Sequence, residues 1–120
     1  MKNVFSILCL VLLLTSCSEE REVSLLQDKG GLKFELDQEK PFTGKYIVYW
    51  NEGQGTKKEE ETYEEGKLEG LTTRWYENGQ PMIQGNIKKG KKEGIWTHWD
   101  EMGEVAKIEL YKNGGLVQTR

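Results

Sequence analysis

The side chains able to do chemistry in this sequence are few. The densest set of carboxylates is Glu59-Glu60-Glu61 with Glu64-Glu65. Paired carboxylates serve as general acid and base, or gather oxygen ligands around a hard cation. This spacing fits no calcium-binding loop, and Lys57, Lys58 and Lys67 flank the run, so it reads as a solvated strand face with balanced charge. The single histidine, His98, reads as a surface residue. The only cysteines, Cys9 and Cys17, sit near the start of the chain and leave the rest without a thiol nucleophile, a disulfide or a cysteine metal site. Lys88-Lys89-Gly90-Lys91-Lys92 is a basic turn, suited to hydration or to anionic head groups. No catalytic residue, metal ligand set or cofactor site is expected. The strongest lead is aromatic: Tyr46, Tyr49, Trp50, Trp75, Tyr76, Trp96 and Trp99 are many large rings for a small domain.

Those rings are positioned by a repeat. Gly44, Gly70 and Gly94 each begin a unit; Tyr49, Trp75 and Trp99 follow five residues later, and Gly53, Gly79 and Gly103 nine residues later. Gly66, Gly90 and Gly114 close the units, three residues after Tyr63, Ile87 and Tyr111. The glycines are read as turn residues, free to take positive φ. The second and third units match at 24 residues, and the first carries two extra residues near Gln54-Gly55.

Within a unit the pattern is that of strands, whose side chains alternate between faces. One face collects Lys45, Ile47, Tyr49; Leu71, Thr73, Trp75; and Ile95, Thr97, Trp99, and is expected to be the buried one. The other holds Tyr46, Val48, Trp50; Thr72, Arg74, Tyr76; and Trp96, His98, Asp100, and is expected to be wetter. On that face Trp50, Tyr76 and Trp96, if exposed, form a patch for a protein partner or a glycan. Tyr76-Glu77-Asn78-Gly79 places Asn-Gly at a hairpin reversal, since both central residues can take positive φ. Lys89-Gly90 and Asn113-Gly114 mark a second kind of turn. No helical period is present beyond the first residues. The predicted fold is all-β: an antiparallel sheet of consecutive β-hairpins, about three 24-residue units (44–69, 70–93, 94–117), plus an N-terminal capping strand at Leu32–Leu36. The folded domain spans 31–120.

The first sixteen residues form a separate segment. Lys2 supplies a positive charge, Val4–Leu14 is apolar, and small residues follow, as in a secretory signal. The run is short for a membrane span, which needs roughly 20 apolar residues. Leu14-Thr15-Ser16-Cys17 resembles the lipobox of bacterial lipoproteins, which implies cleavage after residue 16 and lipidation of Cys17. Residues 17–30 are then the lipidated cysteine and a linker. By resemblance to proteobacterial sorting, Ser18 suits the outer membrane, so the expected location is the cell envelope, with the membrane reached through the lipid. Removing Lys2 with the leader leaves 16 basic against 20 acidic residues, a net charge of −4. Charges of both signs are mixed, and no basic stripe suggests nucleic acid.

Trp75-Tyr76-Glu77-Asn78-Gly79-Gln80, then Gly90-Lys91-Lys92-Glu93-Gly94-Ile95-Trp96, resembles the MORN-variant repeat of bacterial proteins. With Pro41-Phe42-Thr43-Gly44 as lead-in, the chain from about Val23 resembles the YwqK-like antitoxin repeat family. The resemblance implies β-hairpin arrays that act as scaffolds or contact partners and membranes. Three functions follow as expectations: a protein-binding envelope module, an antitoxin or immunity-like protein neutralising a toxin, and a glycan- or peptidoglycan-binding module.

Overall fold

The computed structural model describes residues 21–51 and 54–120. The leader, Cys17 and Gly53 lie outside the described residues. Eleven strands follow in chain order: β1 Glu22–Val23, β2 Gln27–Lys29, β3 Leu32–Phe34, β4 Gly44–Asn51, β5 Gln54–Glu64, β6 Lys67–Leu68, β7 Gly70–Trp75, β8 Pro81–Lys88, β9 Lys91–Trp99, β10 Val105–Lys112 and β11 Gly115–Thr119. The fold is all-β. One sheet runs β1-β4-β5-β7-β8-β9-β10-β11, with β6 also on β5, and every pairing in it is antiparallel except β1 with β4.

The expected capping strand is built differently. Leu32–Phe34 pairs with β2 in a separate two-stranded hairpin, and Leu36 is exposed outside it. This hairpin docks through its backbone: Lys33 N–H donates to Gly66 O at 2.8 Å, Phe42 N–H to Lys33 O at 2.8 Å, and Gly66 N–H to Phe42 O at 2.7 Å. The edge of β4 is instead covered by β1. Two strands therefore fall inside 17–30, the stretch expected to be linker. The alternation at Leu32–Leu36 marked a strand but carried no information on its partner.

The turns divide into the two kinds expected, and their geometries differ. Glu65-Gly66, Lys89-Gly90 and Asn113-Gly114 are two-residue loops in which both residues have positive φ, the I′ geometry that matches strand twist. At Asn78-Gly79 only the glycine is positive (φ 90°); Gly79 N–H donates to Tyr76 O, which gives a type I turn followed by a left-handed glycine. Asp100 to Gly103 repeats that arrangement. The eight described glycines of the repeat all have positive φ. Each I′ turn is fastened by the residue that precedes Gly44, Gly70 or Gly94. Thr43 Oγ1, Glu69 Oε2 and Glu93 Oε2 accept from the N–H of Glu65, Lys89 and Asn113 at 2.9, 2.6 and 2.9 Å.

Left-handed backbone is costly for side chains other than Asn and Gly. Of the three I′ positions only Asn113 carries the favoured residue. Glu65→Asn and Lys89→Asn should each raise stability by about 0.5 kcal/mol, read as a higher urea midpoint at constant slope. Lower midpoints in both would show that these turns are not I′.

The buried apolar residues are Phe42, Ile47, Tyr63, Ile87 and Trp96. The two expected faces do not hold along the whole sheet. Trp96, expected on the wet side, is only 3% exposed, whereas Leu71 and Ile95, expected in the core, are 46% and 63% exposed. In the second and third hairpins Thr72, Gly85, Trp96 and Glu109 are buried on one face, paired as Thr72↔Gly85 and Trp96↔Glu109, and Thr73 is buried on the other. Trp96 lies against Gly85, where a Cβ would overlap ring atoms Cγ, Cδ2 and Cε2. Its Nε1–H donates to Asn86 O at 3.2 Å, and Tyr111 packs edge-on at 6.5 Å between ring centroids. Phe42 and Tyr63 make the matching ring contact at the other end, at 6.2 Å.

Candidate functional site

Trp50 is the penultimate residue of the long strand β4, and Tyr76 follows the end of β7, so antiparallel pairing carries both to the edge of the sheet that holds the β7–β8 and β9–β10 turns. There they line a hollow of about 550 Å³ together with Glu77, Asn78, Met82 and Glu101. A second hollow of about 340 Å³ adjoins it, lined by Trp50, Lys58, Glu59, Arg74, Trp75 and Met82. Trp50 and Met82 belong to both. Trp96 does not join them, because it is buried over Gly85; the aromatic patch expected from three rings contains two.

Hydrogen bonds fix the walls. Trp50 Nε1–H donates to Trp75 O at 3.0 Å, Tyr76 O–H to Trp99 O at 2.8 Å, and Asn78 Nδ2–H to Glu101 O at 2.7 Å. Asn78 Oδ1 accepts from Gln80 N–H at 2.9 Å. The first three of these bonds tie the turn edge of one hairpin to the next, and the last braces the turn itself. The ring donors are therefore satisfied inside the protein, and the rings offer chiefly apolar and π surface. Lys58 Nζ lies 4.8 Å from the Trp50 ring centroid, a cation–π contact in the second hollow. There Arg74 Nη2 also pairs with Glu59 at 3.1 Å. In the first hollow the charged residues are Glu77 and Glu101, and among the described residues neither side chain has an ion-pair partner.

Sequence reasoning found Trp50 and Tyr76 and missed Met82, Glu101 and the structural use of Asn78. Met82 is a flexible apolar side chain just past a polar turn, which is the signal that marks it. Asn78 was assigned to its own turn, and its bond across to Glu101 required the pairing of separate hairpins.

The other candidate chemistry lies elsewhere. The carboxylates of Glu59, Glu60 and Glu61 are partnered separately: Glu59 by Arg74, Glu60 by Lys57 at 2.8 Å and Lys45 at 3.4 Å, and Glu61 by the Tyr63 hydroxyl at 2.7 Å. Burial pushes the Glu60 carboxyl up, but the bond from Lys57 and the charge of Lys45 outweigh it and hold it below its ordinary range. Glu61 moves the other way. Burial, joined by the neighbouring Glu59, raises it against the Tyr63 bond. Burial and the Glu61 acceptor also hold the Tyr63 hydroxyl well above its ordinary value. His98 Nε2 sits 2.5 Å from Glu109 Oε1. In the basic turn, Lys92 lies over Trp96 and Tyr111, at 4.7 and 4.8 Å from their centroids. Among the described residues no group of three or more His, Cys, Asp or Glu is arranged to hold a metal ion, and no helix is long and apolar enough to cross a membrane.

No family model, curated protein or solved structure matches the chain.

Proposed function

We propose that the chain is a non-catalytic, lipid-anchored protein of the cell envelope, tethered through Cys17, that holds a protein partner along the turn edge of a MORN-like array of three hairpin units. Support for the array comes from the bond made three times at Thr43, Glu69 and Glu93, with its acceptors placed just before the unit glycines. The observation that carries the binding reading is the hollow in which Trp50 and Tyr76 converge on Met82. Rigid, well-packed aromatic side chains are the groups that dominate binding energy in protein interfaces. A site whose walls are already pinned by hydrogen bonds loses little freedom when a partner docks. The hollow is of a size to take a partner's side chains.

Photo-crosslinking in cells tests the reading, with the reactive group placed at Met102, which is 83% exposed beside the turn edge. The expected result is one discrete protein adduct, reduced about tenfold or more by Trp50→Ala and by Tyr76→Ala. Cys17→Ala should abolish palmitate labelling and move the protein out of the membrane fraction. An adduct indifferent to both aromatic substitutions, in variants that still unfold cooperatively, removes this edge as the binding site.

A further inference from the structure

We infer that the hollow between Trp50 and Tyr76 receives a cationic side chain, lysine or arginine, from an extended segment of the partner; this rests on the reading of the turn edge as a protein-binding site and names the chemistry it selects.

The inference comes from what remains unsatisfied in the hollow. Of its six lining residues, Trp50 and Tyr76 have used their donors on Trp75 O and Trp99 O, and Asn78 has used one of its two N–H groups on Glu101 O. The Asn78 carbonyl oxygen is taken as well, by Gln80 N–H. Met82 contributes apolar surface. The charged groups of the hollow are the side chains of Glu77 and Glu101, on two successive turns, with no ion-pair partner for either among the described residues. A neutral sugar is recognised by stacking together with many donors and acceptors, and here the lining side chains keep one free donor, the second N–H of Asn78. An acidic segment would meet two carboxylates. A cation meets both available attractions: π faces, which favour ammonium and guanidinium groups, and carboxylates, which accept charge-assisted hydrogen bonds from them.

The protein itself supplies a precedent on the other side of Trp50. Lys58 Nζ lies 4.8 Å from that ring's centroid, in the hollow that also holds Glu59. The first hollow repeats the same components, aromatic ring and glutamate, without a lysine of its own. Glu77 and Glu101 are both exposed, so neutralising them leaves the fold intact and removes only the charge.

The test is panning of a phage-displayed random dodecapeptide library on the full chain in non-ionic detergent, against wild type and Trp50→Ala in parallel. The expected outcome is enrichment, on wild type alone, of peptides with lysine or arginine at one fixed place. Replacing that residue by norleucine should weaken binding about tenfold, and the Glu77→Gln/Glu101→Gln double variant should weaken the parent peptide to a similar extent. Peptides that depend on Trp50 but bind equally well with norleucine, or equally well to the double variant, overturn the cationic inference while the binding edge stands. Enrichment independent of Trp50, no enrichment, or binding of chitooligosaccharides instead overturns both.

Discussion

Gly85→Ala will remove a large share of the protein's stability, and most of that added cost will vanish when it is made in a protein that already lacks the Trp96 ring. Gly85 sits in the interior of β8, opposite Thr72 on β7, with the Trp96 indole lying directly over its Cα. A methyl group there would overlap three atoms of the ring. The obstacle is the centre of a buried aromatic system rather than the end of a flexible chain, and the ring is held by its bond to Asn86 O and by Tyr111. Overpacking a core costs about 1–3 kcal/mol and sometimes more, and truncating a buried Trp to Ala costs about 3–5 kcal/mol. A domain of this size has a total stability of about 5–15 kcal/mol, so either change takes a large share. The informative measurement is the double-mutant cycle by urea denaturation. Gly85→Ala should cost about 3 kcal/mol in the wild type and less than about 1 kcal/mol in Trp96→Ala, where the new methyl enters the space the ring has left. Equal costs in both backgrounds would mean that the indole does not lie over Gly85.

The same pair of residues shows where the sequence stops being legible. The hairpin order, the all-β class and the converging of Trp50 and Tyr76 were readable from glycine spacing and strand alternation. The burial of Trp96 was not. Alternation places Ile95, Thr97 and Trp99 on one side and Trp96 on the other, but it does not say which side is covered. That depends on where a large ring finds room, and the room is made on the neighbouring strand. Gly85 lies 24 residues after Glu61 and 24 before Glu109, so a glycine stands where the flanking hairpins carry a carboxylate. A glycine inside a strand marks close approach by another group, and that was the available signal. Register shifts completed the difficulty: the ladder slips between Arg74 and Trp75, and between Gln84 and Asn86, so one alternation cannot be carried through a hairpin. At Asn78-Gly79 the chain reverses as the dipeptide indicates, and only the type of turn escapes the sequence, for a related reason. The dipeptide favours I′ geometry in isolation, but here the Tyr76 carbonyl accepts from Gly79, and Asn78 is engaged by Gln80 and the next turn.

The other substitution with a large expected effect is Glu109→Gln, whose cost should depend on pH in a stated direction. Glu109 is buried on β10, opposite Trp96, with His98 Nε2 at one carboxylate oxygen and the Tyr111 hydroxyl and Lys107 Nζ at the other, 3.2 and 3.6 Å away. Burial alone would raise its carboxyl above the ordinary value of 4.5, but the bond from His98 and the charge of Lys107 outweigh that and hold it lower. Through the acid range the native state therefore binds fewer protons at this site than the unfolded chain does, and stability rises with pH. The contribution is complete above the unfolded value and is lost as pH falls through the lowered folded one. Glutamine keeps the shape and removes the charge, so wild type should exceed Glu109→Gln by about 2 kcal/mol at pH 7, a typical worth for hydrogen bonds to a charged group. The two should converge as the pH falls below 4.5. Glu60, also held low, loses stabilisation in the same range, and Glu61, held high, changes in the opposite sense; both act equally in the two proteins, so the difference between the curves reports Glu109 together with the groups bonded to it. Urea midpoints across pH 3 to 7 provide the measurement. A gap that stays constant over that range would show that Glu109 is not held as an anion by His98 and Lys107, and that its place beneath the sheet is a matter of shape alone.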